Sequence, residues 1–299
     1  MTNQLISILA MPKPFRGHIG VIQRNAITSW TQLSPRPEIF LFGEEEGTAQ
    51  IAAELGLTHL RDIQRNELGT PLLGNLIKRA RDVTDAPLLC YSNSDIILLQ
   101  GFHDAIRAIA GKFPRFLAVT HRWEIELTEE LDFRSDQPWD LQRLPPGFAG
   151  HHTAIDVFAF NRDVYVDVPA LAIGRAWFDQ WLIKDALLRG IPVVDMTKVA
   201  RAIHQRHDYG HIAGGQQGAY GGEEARRNLE IYGGAPHAYT LLNVTHELRG
   251  NGVIRPVRYR REKFHAQQWL WRNFVQRTAA IRRRLGLSRS LGKSNLHET

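Results

Sequence analysis

The chain is predicted to be an α/β protein with a mixed, mostly parallel sheet flanked by helices, and three observations predict this. Short apolar runs alternate with helical patterns of about ten residues. At 299 residues, of which 43% are hydrophobic and 23% charged, the chain can bury a substantial core. Basic residues concentrate near the C-terminus, which predicts a body of residues 1–254 and a helical basic extension of residues 255–299.

Each element is predicted from a local pattern. A strand is predicted where an apolar run ends at Pro, Gly or polar residues, and a helix where apolar residues recur every three or four positions. The predicted strands cover 5–11, 38–43, 58–60, a run from 88 that ends at 95, 115–121, 154–161 and 191–195, and the predicted helices cover 19–33, 48–55, 72–83, 102–110, 176–188 and 262–285.

Two stretches show neither pattern: residues 122–150 and the Gly- and His-rich segment from 199 to 234. A long irregular stretch in a compact domain is often functional. Ligands of open α/β sheets bind in the crevice at the carboxyl ends of the strands. Polar side chains that follow strands are therefore the first candidates for a site.

Several classes of protein are excluded or disfavoured. The single cysteine, Cys90, allows no disulfide or cysteine-based metal site within one chain. We expect no signal peptide and no membrane span, because the N-terminus lacks a basic leader and no window approaches 18 uninterrupted apolar residues. The expected location is the cytoplasm. No Walker loop, GxGxxG or GxSxG motif occurs.

The most informative stretch is residues 87–99, PLLCYSNSDIILL, in which an apolar strand ends at Asn93 and Asp95. In extended chain, side chains two apart share a face. Divalent cations such as Mg²⁺ or Mn²⁺ take oxygen ligands and bridge carboxylates to substrate phosphates. The step therefore predicts a metal and diphosphate site, and an Asx turn between two core strands is the alternative.

A second candidate, Asp179, lies in the first turn of the helix predicted for 176–188. A carboxylate there can satisfy free backbone N–H groups of the helix start. Held at the rim of a cleft, it can also accept a proton from an acceptor hydroxyl. The two roles are compatible.

Histidines form the third group. His204, His207 and His211 are spaced by three and four, so they share one face of a helix or converge locally in a loop. Imidazole is a common metal ligand, which predicts a functional role for His204 or His207, and a zinc site built from this segment stays open. The pair His151–His152 is interpreted as a solvated loop rather than as cleft lining.

The C-terminal extension carries most of the positive charge. Residues 255–293 hold 12 Lys or Arg and one acid, whereas residues 1–254 hold 25 basic against 29 acidic residues. Basic residues interleaved with Trp and Leu favour an anionic membrane interface. A nucleic-acid patch, which we disfavour, and a helix packed on the body are the alternatives.

Over residues 5–247 the chain resembles bacterial glycosyltransferase-like proteins of the GT-A fold, which use nucleotide sugars. The resemblance lies in the combination and order of QRNAITSW (23–30), LFGEEEG (41–47), GTPLL (69–73), YSNSDIIL (91–98), GRAWFDQWLI (174–183) and IHQRHDYGH (203–211). Residues 255–299 lie outside it.

The resemblance implies a role for each matched position. Asp95, with Asn93, would bind a Mn²⁺ or Mg²⁺ ion together with the donor diphosphate, and His204 or His207 would complete the metal shell. Asp179 would be the catalytic base of an inverting enzyme. The implied donor-binding residues are Pro12, Phe15, Arg24, Glu44, Glu45, Asn93, Asp95 and Arg175.

The resulting hypothesis is a cytoplasmic glycosyltransferase that transfers a sugar from a nucleoside-diphosphate sugar to a hydroxyl of a surface glycan or lipid-linked acceptor. The basic extension would hold it peripherally at the inner face of the membrane. Asn93 departs from the acidic residue expected at the first metal position, which keeps a non-catalytic, transferase-like binding protein as an alternative. A sugar-phosphate nucleotidyltransferase is the other, although residues 10–20 match its Gly-rich first loop poorly.

Overall fold

The computed structural model describes residues 5–133, 143–207, 214–234 and 238–257, together with residue 266. The described residues up to Val257 belong to one compact unit. Its strands are β1 (Ile6–Ala10), β2 (Glu38–Phe42), β3 (Thr58–Leu60), β4 (Leu88–Ser92), β5 (Ile96–Ile97), β6 (Leu117–Ile125), β7 (Gly147–Ala149), β8 (Ile155–Asn161), β9 (Val193–Asp195), β10 (Ala202–Gln205), β11 (His246–Leu248) and β12 (Ile254–Pro256).

Seven α-helices occur among the described residues. They are α1 (Gly17–Thr31), α2 (Thr48–Leu55), α3 (Leu73–Val83), α4 (Gly101–Ala110), α5 (Phe178–Leu188), α6 (Gly215–Gly221) and α7 (Glu223–Tyr232). No described helix has the length and apolar character needed to cross a membrane.

The sheet confirms the predicted fold class. Its order is β12-β11-β9-β6-β8-β4-β1-β2-β3, and β1, β2, β3 and β4 run parallel, as do β6, β9 and β11. Strand β8 lies antiparallel between β4 and β6. It therefore begins at the edge where β4 and β6 end, so that side chains from all three strands meet there.

The two faces of the sheet carry separate apolar clusters, which explains why the central strands are continuous apolar runs. Ile8 packs with helices α1, α2 and α4, whereas its neighbour Leu9 packs with α3 and α5. Because successive strand residues point to opposite faces, both faces of a covered sheet must be apolar. The short satellite β10-β6-β7 adds a third, smaller cluster around Ile203.

Most predicted elements are found, with boundaries shifted by a few residues. The strand predicted to end at Asp95 ends at Ser92, and residues 93–96 form a turn in which the Ile96 N–H donates to the Asn93 carbonyl at 3.3 Å. The extended geometry expected for Asn93 and Asp95 is therefore wrong, because the chain reverses toward β5 at this point. The alternative of a turn between two core strands describes the backbone.

The stretches without a predicted element contain several. Strand β6 continues to Ile125, and β10, α6 and α7 lie within residues 199–234. The helix expected for 262–285 lies outside the described residues, apart from residue 266. The proposed boundary after residue 254 falls inside β12, in which Arg255 pairs with Glu247 of β11.

Candidate metal and catalytic site

Asp95 lies in the turn after β4 and is 3% exposed. Its Oδ2 accepts from Lys13 Nζ at 3.2 Å and lies 3.1 Å from His207 Nε2. Its Oδ1 is buried and has no hydrogen-bond partner among the described residues. Burial by itself would raise the pKa of Asp95, but the charge of Lys13 and the hydrogen bond with His207 outweigh it and hold that pKa well below its usual range.

Strand β10 brings both histidines to Asp95. His204 pairs with Ile96 in the antiparallel register of β10 with β5, directly beside the Asp95 turn. Between the histidines, Gln205 donates from Nε2 to the Asp95 carbonyl at 3.2 Å and to the Ile22 carbonyl at 2.7 Å. One ligand atom from each of Asp95, His204 and His207 lies within 4.8 Å of the others. His204 lies in β10 and His207 in the loop that follows it, so the two histidines converge without the helix considered from the spacing.

Glu124 orients the first histidine. It pairs with His204 across the parallel strands β6 and β10, and its Oε2 lies 2.7 Å from His204 Nδ1. Burial opposes ionisation of Glu124, yet the hydrogen bond with His204 lowers its pKa overall. A carboxylate that accepts a hydrogen bond from Nδ1–H leaves Nε2 with its lone pair, as in many metal-binding histidines.

Lys13 is a site residue that the sequence interpretation did not single out. Its Nζ lies 3.2 Å from Asp95 Oδ2 and 3.2 Å from His207 Nε2. Gln23 of α1 is fully buried and binds both backbone groups of Lys13, accepting its N–H at 2.6 Å and donating to its carbonyl at 2.8 Å. The loop after β1 is therefore held against the Asp95 turn.

Asn93 belongs to a second cluster of polar side chains, which contains Tyr91 and Asp156 and lies next to the cluster around Asp95. Its Oδ1 accepts from the Tyr91 hydroxyl at 3.0 Å, and its Nδ2 donates to Asp156 Oδ1 at 2.7 Å. The structure therefore gives the Asn93 amide protein partners on both sides. Asp156, at the start of β8, also pairs with Arg122 at 3.3 Å.

Asp179 lies in the first turn of α5, as predicted. Trp177 is the N-cap of this helix and has a left-handed φ of 81°. Burial, and then the negative charge of Asp156, raise the pKa of Asp179 to about 7, while backbone N–H groups of the helix start act in the opposite direction. Its Oδ2 accepts from Gln180 Nε2 at 2.9 Å.

Tyr91 shows that the carboxylates face a common region. Burial raises the pKa of its hydroxyl, and the negative charges of Asp156, Asp95 and Asp179 raise it further. The Tyr91 ring packs edge-on against Phe178, with 5.8 Å between ring centroids. Tyr91 is therefore close enough to Asp95, Asp156 and Asp179 to be influenced by the charge of each.

The remaining predicted donor-binding residues lie on the loops after β1 and β2 or in surface pairs. Pro12 is buried, and the Phe15 N–H donates to the Glu46 carbonyl at 2.9 Å. Glu44 is exposed, whereas Glu45 accepts from Arg65 at 2.7 Å and buries its second oxygen without a partner in the described part of the chain.

Two predicted arginines have other partners. Arg24 pairs with Glu54 at 2.6 Å, and Arg175 pairs with Glu224 at 2.7 Å while donating to Thr70 at 3.2 Å. Both guanidinium groups are thus committed to contacts within the protein. His211 lies outside the described residues.

The sequence indicates only some of the site residues that were not predicted. Asp156 is an acid inside the strand predicted for 154–161, and an acid flanked by buried strand residues needs a polar partner. Glu124 carries no such signal, because it lies in the stretch of 122–150 that shows no pattern. Lys13 and Gln23 carry no such signal, because single polar residues in a loop and on a helix are common.

No family model and no curated protein matches the chain. Solved structures do. Mycobacterium tuberculosis glucosyl-3-phosphoglycerate synthase, in complex with Mn²⁺, uridine diphosphate and phosphoglyceric acid, matches 78% of this chain and 80% of its own at 14% identity and a TM-score of 0.46.

Two further structures have similar scores. A protein from Desulfovibrio desulfuricans assigned to the nucleotide-diphospho-sugar transferases matches 77% of this chain and 96% of its own, at 10% identity and a TM-score of 0.42. S. aureus TarS, residues 1–349, matches 67% and 57% at 11% identity and 0.41. All three structures have TM-scores below 0.5 and are 14% or less identical to this chain.

Proposed function

We propose that this chain is a metal-dependent glycosyltransferase that moves a sugar from a nucleoside-diphosphate sugar to an acceptor hydroxyl. The observation that carries the proposal is the convergence of Asp95, His204 and His207 at the strand-end crevice. It is supported by Asp179, whose pKa is raised to about 7 and whose charge, like that of Asp95, acts on Tyr91. A cation can stabilise a leaving diphosphate, and a carboxylate can accept the proton of an acceptor hydroxyl.

The residues present fit a divalent cation. Asp95 is a buried carboxylate whose Oδ2 lies 3.1 Å from His207 Nε2, close enough for one ion to bond both, and Glu124 prepares His204 to bind through Nε2. Two imidazoles and one carboxylate suit a transition metal such as Mn²⁺ better than Mg²⁺, which prefers oxygen ligands. A bound cation supplies Lewis-acid stabilisation of the charge that develops on the leaving diphosphate.

Each residue of the chain then has one task. Asp95, His204 and His207 hold the ion, with Asn93 fixing Tyr91 and Asp156 beside them. Segment 9–16 and Glu44 or Glu45 bind the nucleoside, because they lie at the ends of β1 and β2. Asp179 takes the proton from the acceptor hydroxyl if the reaction inverts the anomeric centre.

The acceptor is a surface glycan or a lipid-linked sugar, and residues 255–293 bring the protein to an anionic membrane surface. The support is the charge of this segment, with 12 basic residues and one acid.

The test of the function is calorimetric binding of UDP, GDP, CDP and dTDP with and without MnCl₂, followed by hydrolysis of the matching nucleotide sugars. We expect one diphosphate to bind in a Mn²⁺-dependent way and Asp95→Asn to abolish that dependence, because the substitution removes the only carboxylate of the ligand group. Asp82→Asn is the matched control, since Asp82 pairs with Lys78 at 2.8 Å on an exposed helix face. Metal-dependent binding that survives Asp95→Asn contradicts the assignment.

A second function, a non-catalytic sugar-nucleotide-binding protein, is favoured by one observation. Lys13 already compensates the charge of Asp95, so the site is electrically balanced without an ion. Donor binding that is independent of Mn²⁺ and followed by no hydrolysis or transfer is the outcome that selects this function.

A further inference from the structure

We propose that Lys13 is a built-in counter-cation of Asp95 that competes with the divalent ion and is displaced when the ion binds. The inference rests on the metal site of the proposed function and adds to it a residue that sets the ion affinity. The Lys13 ammonium nitrogen lies 3.2 Å from Asp95 Oδ2 and 3.2 Å from His207 Nε2, and these two ligand atoms are 3.1 Å apart. The three atoms form a nearly equilateral triangle.

The fold fixes the position of Lys13 through buried hydrogen bonds to its backbone, which an ordinary surface lysine lacks. Gln23, which is fully buried, holds the Lys13 backbone through two hydrogen bonds of 2.6 and 2.8 Å. The same Gln23 oxygen accepts from Ser94, the neighbour of Asp95, at 2.8 Å. The buried Gln23 side chain therefore positions both Lys13 and the turn that carries Asp95.

The geometry makes the ammonium and a divalent ion compete. An ion bonded at about 2.1 Å to both Asp95 Oδ2 and His207 Nε2 lies within about 4 Å of the observed ammonium, whichever side it approaches from. The Asp95 side chain is 5% exposed and that of Lys13 25%, so water screens the repulsion only in part. Ion binding and the Lys13–Asp95 contact therefore oppose each other.

The contact has a use when no ion is bound. A buried carboxylate without a counter-charge is strongly destabilising. Lys13 supplies that counter-charge at 3.2 Å and ties the loop after β1 to the Asp95 turn. The cost is a weaker affinity for the ion.

The experiment is calorimetric titration of the full chain with MnCl₂ alone, without nucleotide. We expect Lys13→Met and Lys13→Gln to bind Mn²⁺ at least about tenfold more tightly than the natural chain, because the neighbouring positive charge is gone. Glutamine retains a donor for Asp95 and serves if the methionine variant does not fold. Lys198→Met is the matched control, because Lys198 pairs with Glu247 at 2.8 Å at another position, and its Mn²⁺ affinity should not change.

A second readout separates the inference from a general change in the site. Without Mn²⁺ the melting temperature of Lys13→Met should lie below that of the natural chain, and saturating Mn²⁺ should raise it by more, because the variant gains more from the ion. Equal or weaker Mn²⁺ binding by both Lys13 variants overturns the competition while leaving the metal site intact. Absence of Mn²⁺ binding in the natural chain and in both variants overturns the metal site itself, and the inference with it.

Discussion

Asp179 is the residue whose protonation should set the pH dependence of transfer. Its pKa is raised to about 7 by burial and by Asp156, and a general base acts only when deprotonated. We therefore expect turnover to rise with pH through about 7. Asp179→Asn should lower turnover by roughly 100-fold or more and remove that rise. Rate profiles from pH 5 to 9 measure both effects.

The same residue predicts a pH-dependent stability, with a definite sign. The folded pKa of about 7 lies above the ordinary value of 3.8, so between these values the folded state holds a proton that the unfolded state has lost. The contribution of Asp179 to stability therefore falls as pH rises from about 4 to 7. Denaturant unfolding should show a smaller loss over this range in Asp179→Asn. A variant with normal turnover and an unchanged stability profile would leave Asp179 as a helix-start acid only.

Helix α3 illustrates how packing at the scale of an element depends on one missing methyl group. A Cβ added to Gly74 would meet the Val168 carbonyl oxygen at 2.5 Å. Alanine is otherwise the better helix former by about 1 kcal/mol. We expect the clash to prevail and Gly74→Ala to reduce the free energy of unfolding by about 1–3 kcal/mol, the usual cost of overpacking.

The control for that element is Gly221→Ala at the end of α6, where an added Cβ meets nothing within 4 Å. Urea unfolding measures both variants, and Gly221→Ala should be neutral or slightly stabilising. If Gly74→Ala were as stable as the natural chain, the α3 contact with the segment around Val168 would have to be looser than the structure shows.

Strand β10 is the element on which the site depends most, and it was not predicted from the sequence. Four residues, AIHQ, are too few to establish a period. Pairing with β5 and β6 on its two sides, together with the Gln205 side chain, makes it a strand. The histidines were therefore predicted as a group, while the geometry that directs them to Asp95 was not.

For the whole molecule, we predict that residues 1–257 fold and bind nucleotide without the basic extension. The compact unit includes β12, so a chain ending at Val257 retains the β11–β12 pair, whereas one ending at residue 254 would lose it. The full chain should sediment with anionic vesicles at low salt and be released at high salt, because each basic residue near such a surface contributes about 1 kcal/mol and salt screens it. The shortened chain should stay in the supernatant.

Nucleotide binding by calorimetry serves as the control for folding of the shortened chain. If both chains sediment alike, the extension is not the membrane contact. If RNA competes for the full chain better than the anionic vesicles do, the partner of the extension is a nucleic acid.

The sequence by itself determined the α/β class, the place of most strands and helices, and two of the acids at element ends, Asp95 and Asp179. It could do so because burial on one or two faces imposes a local period on apolar residues, and a carboxylate after a strand or at a helix start is visible within a few positions.

Only the tertiary structure decided which polar groups meet. Lys13 and Asp95 are 82 residues apart, Asp95 and His207 are 112 apart, and Glu124 and His204 are 80 apart. The same was true of Asn93, whose amide binds Asp156 across β4 and β8 instead of sharing a face with Asp95. Hydrogen bonds of this kind have no period along the chain, because the register between distant strands, and not the residue types themselves, selects the partner.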